Sequence, residues 1–303
     1  MKLDPKHLAQ LSVIVEAGSF QTAADLLALT QPALSRNMRT LEARLGASIF
    51  QRDGRRSVPN ALGLKLARNG LAIRIAEEQA ASFATLAAAG SAGHLRLAAP
   101  PIVAGRFLSD ALSRFITDNP GCNIELRTGL AHELRTMLER GQVDVVFGPQ
   151  SLADPVEGLS FLPLIDDRVG IMCRTDHPLT HKKKLMASDL MSQVWLAHSR
   201  GSLLRQQTEA AMIASGIQHM QIACETDSIS SAFEIVAATE LITTMPIGTS
   251  TPYLEEKLVF LAFDHPQFHR PLGAICRNNM PATPVVESFL KVLRHDLNEK
   301  TGP

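Results

Sequence analysis

The sequence predicts an α/β protein with a small helical domain, one long helix and a larger domain of alternating strands and helices. Three observations predict this class. A helix, a tight turn and a second helix can be traced between residues 18 and 45. An alanine-rich stretch follows from about residue 61 to residue 89 and contains no proline. From residue 94 onward, apolar strands alternate with amphipathic helices, the pattern of β-α-β units around a largely parallel sheet.

Composition is that of a globular protein with an uneven charge. At 303 residues the chain exceeds the usual size of one hydrophobic core, so we expect two or three domains. The net charge is zero, but residues 1–90 hold 11 Lys and Arg against 7 Asp and Glu, and the remainder holds 19 against 23. A basic head on an acidic body fits binding to nucleic acid by one end.

The expected compartment is the cytoplasm. No apolar stretch is long enough to span a bilayer, and the N-terminus lacks a continuous apolar signal segment. The four cysteines form no Cys-x-x-Cys pair, and we interpret them as reduced thiols. These features predict a cytoplasmic protein without a membrane partner.

Helix caps frame the first three helices. Asp4 followed by Pro5 begins the first helix, which ends at Gly18. Ser19 and Thr30 can cap the second and third helices by accepting backbone N–H groups. This order of caps and helices is typical of a helix-turn-helix.

The third helix has two different faces. One face is apolar and is formed by Leu34, Met38, Leu41 and Leu45. The other face is polar and basic and is formed by Gln31, Ser35, Arg36 and Arg39. Such side chains near a helix N-terminus can contact base edges and phosphates in a DNA major groove, and Pro32 and Ala33 allow close approach. The alternative is an ordinary solvated surface, but the cap, the turn and the stripe together favour DNA.

A basic hairpin follows. Asp53-Gly54 is a hairpin-turn dipeptide between two short strand-like segments. Arg52, Arg55 and Arg56 cluster there, where they can hold phosphates without reading sequence. Residues 1–60 are therefore predicted to form a winged helix-turn-helix DNA-binding domain.

Four segments of this domain resemble the N-terminal signature of the LysR-type transcriptional regulators. They are residues 23–27, 30–36, 41–46 and 49–52. The resemblance implies a sequence-specific regulator rather than an enzyme, controlled by a small-molecule effector. It implies binding to double-stranded operator DNA with an inverted repeat, and contact with RNA polymerase. The DNA-binding residues it implies are Thr30, Gln31, Pro32, Ala33, Ser35, Arg36, Arg39, Arg52 and Arg55.

Residues 61–92 are predicted to form a linker and dimerisation helix. Asn60 can cap it. Its narrow apolar stripe is formed by Leu64, Leu71, Ile75, Phe83 and Leu86. Such a stripe can pair with the same helix of a second chain, or it can pack within the monomer. The resemblance favours pairing, with dimers assembling into a homotetramer.

Residues 93–303 carry the alternating pattern. Strands are predicted at 95–97, 124–126, 143–147, 168–173, 194–198, 221–224, 241–244 and 272–276. Helices are predicted at 103–115, 133–140, 202–215, 229–238 and 284–297, the last capped by Thr283. The resemblance implies an effector-binding domain similar to periplasmic binding proteins. Its two Rossmann-like subdomains would comprise 93–163 with 267–303, and 164–266.

Ligands collect at the carboxyl ends of strands in such sheets. That rule selects nine candidate effector-binding residues: Pro100, Pro101, Thr128, Gly129, Ser199, Arg200, Gly201, Ser202 and Thr226. Arg200 offers a counter-charge, so a carboxylate is a candidate effector. For the Ser and Thr residues, helix capping is the alternative role. Two places depart from the family pattern: Pro101 replaces a small hydroxyl residue, and residues 238–241 replace a glycine-rich turn.

Other functional classes have less support. His177 and His181, like His265 and His269, are four residues apart, but prolines place both pairs in loops, so no metal site is predicted. No Gly-x-Ser-x-Gly, phosphate loop or dinucleotide fingerprint occurs, so no cofactor is predicted. A secreted solute-binding module would need a signal sequence. A small-molecule enzyme on the same scaffold would need a base–nucleophile pair.

Overall fold

The computed structural model describes residues 2–54, 56–88, 93–154, 158–278 and 282–301. The chain divides into two compact units, Met1–Gly90 and Ser91–Pro303. In the described residues, no helix combines the length and the apolar character needed to cross a bilayer.

The first unit contains four helices and a hairpin in its described residues. They are α1 (Pro5–Ala17), α2 (Phe20–Leu26), α3 (Gln31–Leu45), β1 (Phe50–Asp53), β2 (Arg56–Pro59) and α4 (Ala61–Ala88). The predicted caps are confirmed. Asp4, Ser19 and Thr30 each accept a backbone N–H within the first turn of the helix that follows. Gly18 and Gly46 end α1 and α3 with φ values of 69° and 67°, a conformation that glycine adopts without strain.

The apolar stripe of α3 is buried in the core of this unit. Leu34 and Leu41 are 0% exposed and Met38 is 2% exposed. They pack with residues of α1 and α2, including Leu11 and Ala24. Because this stripe faces inward, the polar face of α3 is turned outward.

Helix α4 begins at the predicted cap. Asn60 Oδ1 accepts the Gly63 N–H at 2.9 Å. The buried side of α4 combines small residues with one residue of the predicted apolar stripe. Gly63, Ala67, Gly70 and Ile75 are buried, whereas Leu64 of the stripe remains 43% exposed.

The second unit has the predicted mixture of strands and helices. Its strands are β3 (Gly93–Ala99), β4 (Cys122–Thr128), β5 (Val145–Pro149), β6 (Leu159–Arg174), β7 (Val194–Ala197), β8 (Gln221–Glu225), β9 (Thr243–Pro246), β10 (Leu258–Phe260) and β11 (His269–Arg277). Its α-helices are α5 (Leu108–Asp118), α6 (Ala131–Glu139), α7 (Ala187–Leu190), α8 (Leu203–Ala214), α9 (Ile229–Ala237), α10 (Ile247–Ser250) and α11 (Pro284–Thr301).

Most strands of this unit form one continuous sheet in the order β10-β6-β11-β5-β3-β4, with β9 also paired to β6. Strands β4, β3 and β5 are parallel neighbours, and β11 joins them antiparallel to β5. Strand β6 pairs with β11 through its first half, and with β9 and β10 through its second half. Strands β7 and β8 are parallel, and Trp195 of β7 bridges to Ile242. The seven-stranded sheet is therefore mixed rather than largely parallel, because β6 and β11 run antiparallel to the strands beside them.

Several elements differ from the predictions. The strand expected at 168–173 is the end of the much longer β6. Strand β10, helix α10 and the short α7 were not predicted. Trp195 is 1% exposed and packs in the core beside α8. All four cysteines are free; Cys173 is buried and the other three are half-buried.

Candidate functional sites

The outward face of α3 presents the residues predicted to bind DNA. Gln31, Pro32, Arg36 and Arg39 are exposed, while Ala33 and Ser35 are half-buried. Gln31 Nε2 donates to Ser35 Oγ at 3.1 Å, which orders these two polar side chains on one surface. Thr30 is exposed and caps the helix by accepting the Ala33 N–H at 3.4 Å.

Positive charge on this face is not neutralised locally. Among the described residues, neither Arg36 nor Arg39 forms an ion pair with a carboxylate. The free N–H groups at the N-terminus of α3 add a partial positive charge at the same end. This surface can therefore accept a phosphate backbone and present donors to base edges.

The hairpin lies next in the chain. Asp53 pairs with Arg56, so the turn begins at Gly54, with a φ of 58°, one residue later than predicted. Arg52 and Arg56 are exposed on the two strands. Arg55 lies outside the described residues.

The second unit contains a cleft at the carboxyl ends of β3, β4, β5 and β7. Its cavity volume is about 70 Å³, several times the roughly 10–15 Å³ that one water molecule needs. The cleft is lined by Pro100, Pro101, Ile102, Gly129, Leu130, Ala131, Pro149, Leu152, His198, Ser202, Leu203, Leu204, Asp227, Ile229 and Arg270. Apolar walls with a few polar groups are typical of a small-molecule site.

Four of the predicted effector-binding residues line this cleft: Pro100, Pro101, Gly129 and Ser202. Ser202 caps α8 by accepting the Leu204 N–H at 3.2 Å, so one hydroxyl serves both the cap and the cleft wall.

The other predicted residues are placed outside the lining. Thr128, Arg200 and Gly201 are exposed. Thr226 accepts the Ser228 N–H at 3.1 Å, a capping role. Ser199 Oγ is buried and, within the described chain, has no hydrogen-bond partner.

Sequence reasoning missed His198 of the cleft. His198 is 6% exposed, and its Nε2 lies 2.8 Å from the Thr244 carbonyl oxygen. Burial lowers the pKa of His198 below its ordinary value of 6.5, against the opposing effect of the Thr244 carbonyl. The ring is therefore neutral near pH 7, with Nε2 as the donor. Its position at the end of a predicted strand was the signal that could have indicated it.

Sequence reasoning also missed Arg270. This residue is 7% exposed and belongs to β11, opposite Asp167 of β6. Burial lowers the pKa of Arg270 and raises that of Asp167. The predicted strand begins at residue 272, so the pattern gives no direction for the Arg270 side chain.

An unusual turn lies beside the cleft. Residues Val103–Phe107 form a π-type turn with Gly105 at φ −67° and ψ −138°. The Arg106 N–H donates to Tyr253 Oη at 2.6 Å, and the Tyr253 ring stacks on Phe233. Tyr253 thus links the segment after α10 to the π-type turn beside the cleft.

The spaced histidines have local structural roles. His177 Nδ1 accepts the Leu179 N–H and His265 Nδ1 accepts the Gln267 N–H, each at 3.2 Å. Each ring therefore caps a short 3₁₀ turn. In the described residues, no group of three or more His, Cys, Asp or Glu side chains is arranged to hold a metal ion.

Fold and sites together define a helix-turn-helix protein joined to an α/β ligand-binding module. Two family models match the chain. "Bacterial regulatory helix-turn-helix protein, lysR family" matches residues 5–64, and "LysR substrate binding domain" matches residues 88–298.

Individual proteins agree with these matches. PcaQ, an HTH-type transcriptional regulator of Agrobacterium fabrum, is 29% identical over 228 residues, 75% of this chain and 73% of PcaQ. MetR, an HTH-type transcriptional regulator of Escherichia coli, is 25% identical over 299 residues, 97% of this chain and 90% of MetR. Full-length CbnR complexed with its target DNA shares the fold, with a TM-score of 0.56 at 20% identity, covering 97% of this chain and 99% of CbnR.

The chain belongs to the LysR family of transcriptional regulators. It is a regulator with a helix-turn-helix DNA-binding domain and an effector-binding domain, as the sequence predicted.

Proposed function

We propose that this regulator recognises an inverted repeat in operator DNA through the outward face of α3. Gln31, Ser35, Arg36 and Arg39 enter the major groove, and Thr30, Pro32 and Ala33 allow the helix N-terminus to approach the backbone. Arg52 and Arg55 of the hairpin hold phosphates. The observation that carries this proposal is that Arg36 and Arg39 are exposed while Leu34, Met38 and Leu41 are buried on the opposite side.

We attribute the inverted repeat in the operator DNA to self-association of the protein. Leu62 and Leu64 of α4 are 39% and 43% exposed, and a second α4 can cover them. Two protomers related by a two-fold axis read two half-sites of opposite direction. We propose a dimer through α4 and a dimer of dimers, acting in the cytoplasm, with RNA polymerase as a further partner.

The cleft of the second unit is the proposed effector site. Pro100, Pro101, Gly129 and Ser202 support it, because the structure brings them to one cavity from separate loops. The same loops contain the other predicted residues, which remain candidates for contact with a bound effector: Thr128, Ser199, Arg200, Gly201 and Thr226.

The proposed domain boundaries are a linker at 61–92 and a division of the second unit into two subdomains at 163/164 and 266/267. The molecule acts by binding rather than by catalysis.

Selection of DNA from a random library with the full chain tests the proposed function. We expect enrichment of an inverted repeat, protected from cleavage in both half-sites. A matched selection with Arg36→Ala/Arg39→Ala should enrich nothing. Recovery of no preferred sequence by the unaltered chain, or of the same repeat by the double variant, would contradict the assignment.

A further inference from the structure

Arg270 places a buried cation on the wall of the cleft. Its side chain is 7% exposed, and its Nε has no hydrogen-bond partner among the described residues. A buried donor without a partner is costly unless a ligand satisfies it. A guanidinium presents a planar fork of donors that matches a carboxylate, so its surroundings point to an anion.

Asp167 supplies a counter-charge without occupying these donors. It lies opposite Arg270 in the antiparallel pairing of β6 and β11 and is 3% exposed. Its Oδ1 accepts the Gly248 N–H at 3.0 Å and the Arg168 N–H at 2.8 Å, and its Oδ2 has no partner in the described chain. Because these hydrogen bonds do not involve Arg270, the Arg270 Nε–H remains available to a ligand.

The other charges of the cleft are more exposed. Asp227 lines the same cavity, but its residue is exposed, so solvent screens its carboxylate. Arg200, the counter-charge expected from the sequence, is exposed and outside the lining. Of the charged residues that line the cleft, Arg270 is therefore the buried one.

We propose that Arg270 binds the carboxylate of a small organic effector, with Asp167 as the buried counter-charge of Arg270. This rests on the proposed function, in which the cleft binds the effector. Arg270 and Asp167 lie on β11 and β6, which are paired neighbours inside the seven-stranded sheet.

The test measures thermal unfolding of the full chain with benzoate and succinate, and with their uncharged counterparts benzamide and succinamide. We expect at least one of the carboxylates to raise the Tm and its amide to leave it unchanged. Arg270→Gln should weaken binding of that carboxylate about tenfold or more, measured by calorimetry. Arg168→Gln is the matched control, since Arg168 is exposed on β6 and pairs with Asp264, and it should bind as the unaltered chain does.

Two further variants guard against a purely structural effect. Asp167→Asn removes the competing negative charge and should tighten carboxylate binding. If Arg270→Gln does not fold, Asp167→Asn/Arg270→Gln removes both buried charges and should show no stabilisation by either carboxylate. Equal stabilisation by acid and amide, unchanged binding by Arg270→Gln or by the double variant, or no response to either carboxylate would overturn the proposal. Selection of operator DNA by Arg270→Gln separates these outcomes from failure of the proposed function, because the DNA-binding surface is unaltered.

Discussion

Arg36 and Arg39 show how spacing alone could place a functional side chain. Leu34, Met38 and Leu41 recur with the period of a helix, and burying them turns Arg36 and Arg39 to the opposite side. The direction of these two cations therefore followed from the sequence. It needed no knowledge of the rest of the fold.

Replacing Arg36 with Ala should weaken operator binding by about 1–3 kcal/mol without unfolding the chain. The loss arises because an exposed, unpaired guanidinium near the N-terminus of α3 is removed. Binding is measured by gel shift on the selected repeat at fixed salt. Arg44→Ala is the control, because Arg44 is exposed in the last turn of the same helix. An equal loss in both variants would point to net charge rather than to the position of Arg36.

His198 and Arg270 could not be found in this way. Both are polar side chains buried in the second unit, and their environment is built by segments far apart in sequence. His198 contacts Thr244, and Arg270 faces Asp167. Local periodicity carries no information about such pairs. The Arg270–Asp167 pair depends on the register of β6 and β11, and the His198–Thr244 pair depends on how the end of β7 packs beside β9.

His198 should make the stability of the protein depend on pH. Below pH 6.5 the unfolded chain takes up a proton that the buried ring resists, so the free energy of unfolding decreases as the pH falls from 6.5. We expect His198→Gln to lose less stability than the unaltered chain across that range. Urea unfolding followed by circular dichroism measures this difference. His219→Gln, at an exposed position, is the control and should keep the full loss; equal losses in all three proteins would contradict the assignment to His198.

At the scale of elements, a helix contact made by small residues could not be predicted from the pattern of large apolar residues. The side of α4 that packs within the first unit uses Gly63, Ala67 and Gly70. A side chain at Gly70 would clash with the backbone carbonyl of Leu8, so α1 and α4 approach closely there. Glycine and alanine do not stand out in a pattern of large apolar residues, so the sequence did not indicate this contact.

The prediction included only the second half of β6, because the residue that accommodates its proline lies far away in the sequence. Its first half contains Pro163, which cannot donate a ladder hydrogen bond. In the structure Pro163 pairs with Gly273, at the register shift of β11 between Leu272 and Gly273. A β-bulge accommodates the proline inside a continuous strand. The compensating glycine lies more than a hundred residues away in sequence, so the segment itself indicated a break.

Tyr253 should stabilise the π-type turn beside the cleft. Tyr253→Phe retains the ring stacked on Phe233 but leaves the Arg106 N–H without its acceptor, for a loss of about 0.5–1.5 kcal/mol. Hydrogen exchange of the Arg106 amide should become faster. Gly105→Ala provides the matched test, because a Cβ at Gly105 would lie 2.5 Å from Tyr253 Oη. The alanine should cost less in the Tyr253→Phe background than alone; additive losses would show that the two groups are independent.

At the scale of the whole molecule, the balance of charge supports separate tasks for the two units. The chain carries no net charge, but residues 1–90 hold four more basic than acidic residues. Attraction to a polyanion is therefore concentrated in the unit that contains α3. The second unit, with the opposite excess, offers its cleft to small ligands, and its buried Arg270 is a local exception within an acidic domain.

Exposed leucines on α4 give the last prediction, which concerns assembly. Leu64 is 43% exposed on a helix whose other side packs against its own unit. We therefore expect α4 of a second chain to bury the Leu64 side chain. Leu64→Glu should shift sedimentation velocity toward a smaller species. Operator affinity should fall as well, because paired half-sites need paired protomers. Lys65→Glu adds the same side chain at the neighbouring exposed position and should leave the assembly intact. If Leu64→Glu sediments as the unaltered chain does, α4 pairing does not hold the oligomer, and the two-fold relation of the DNA-binding domains must come from the second unit.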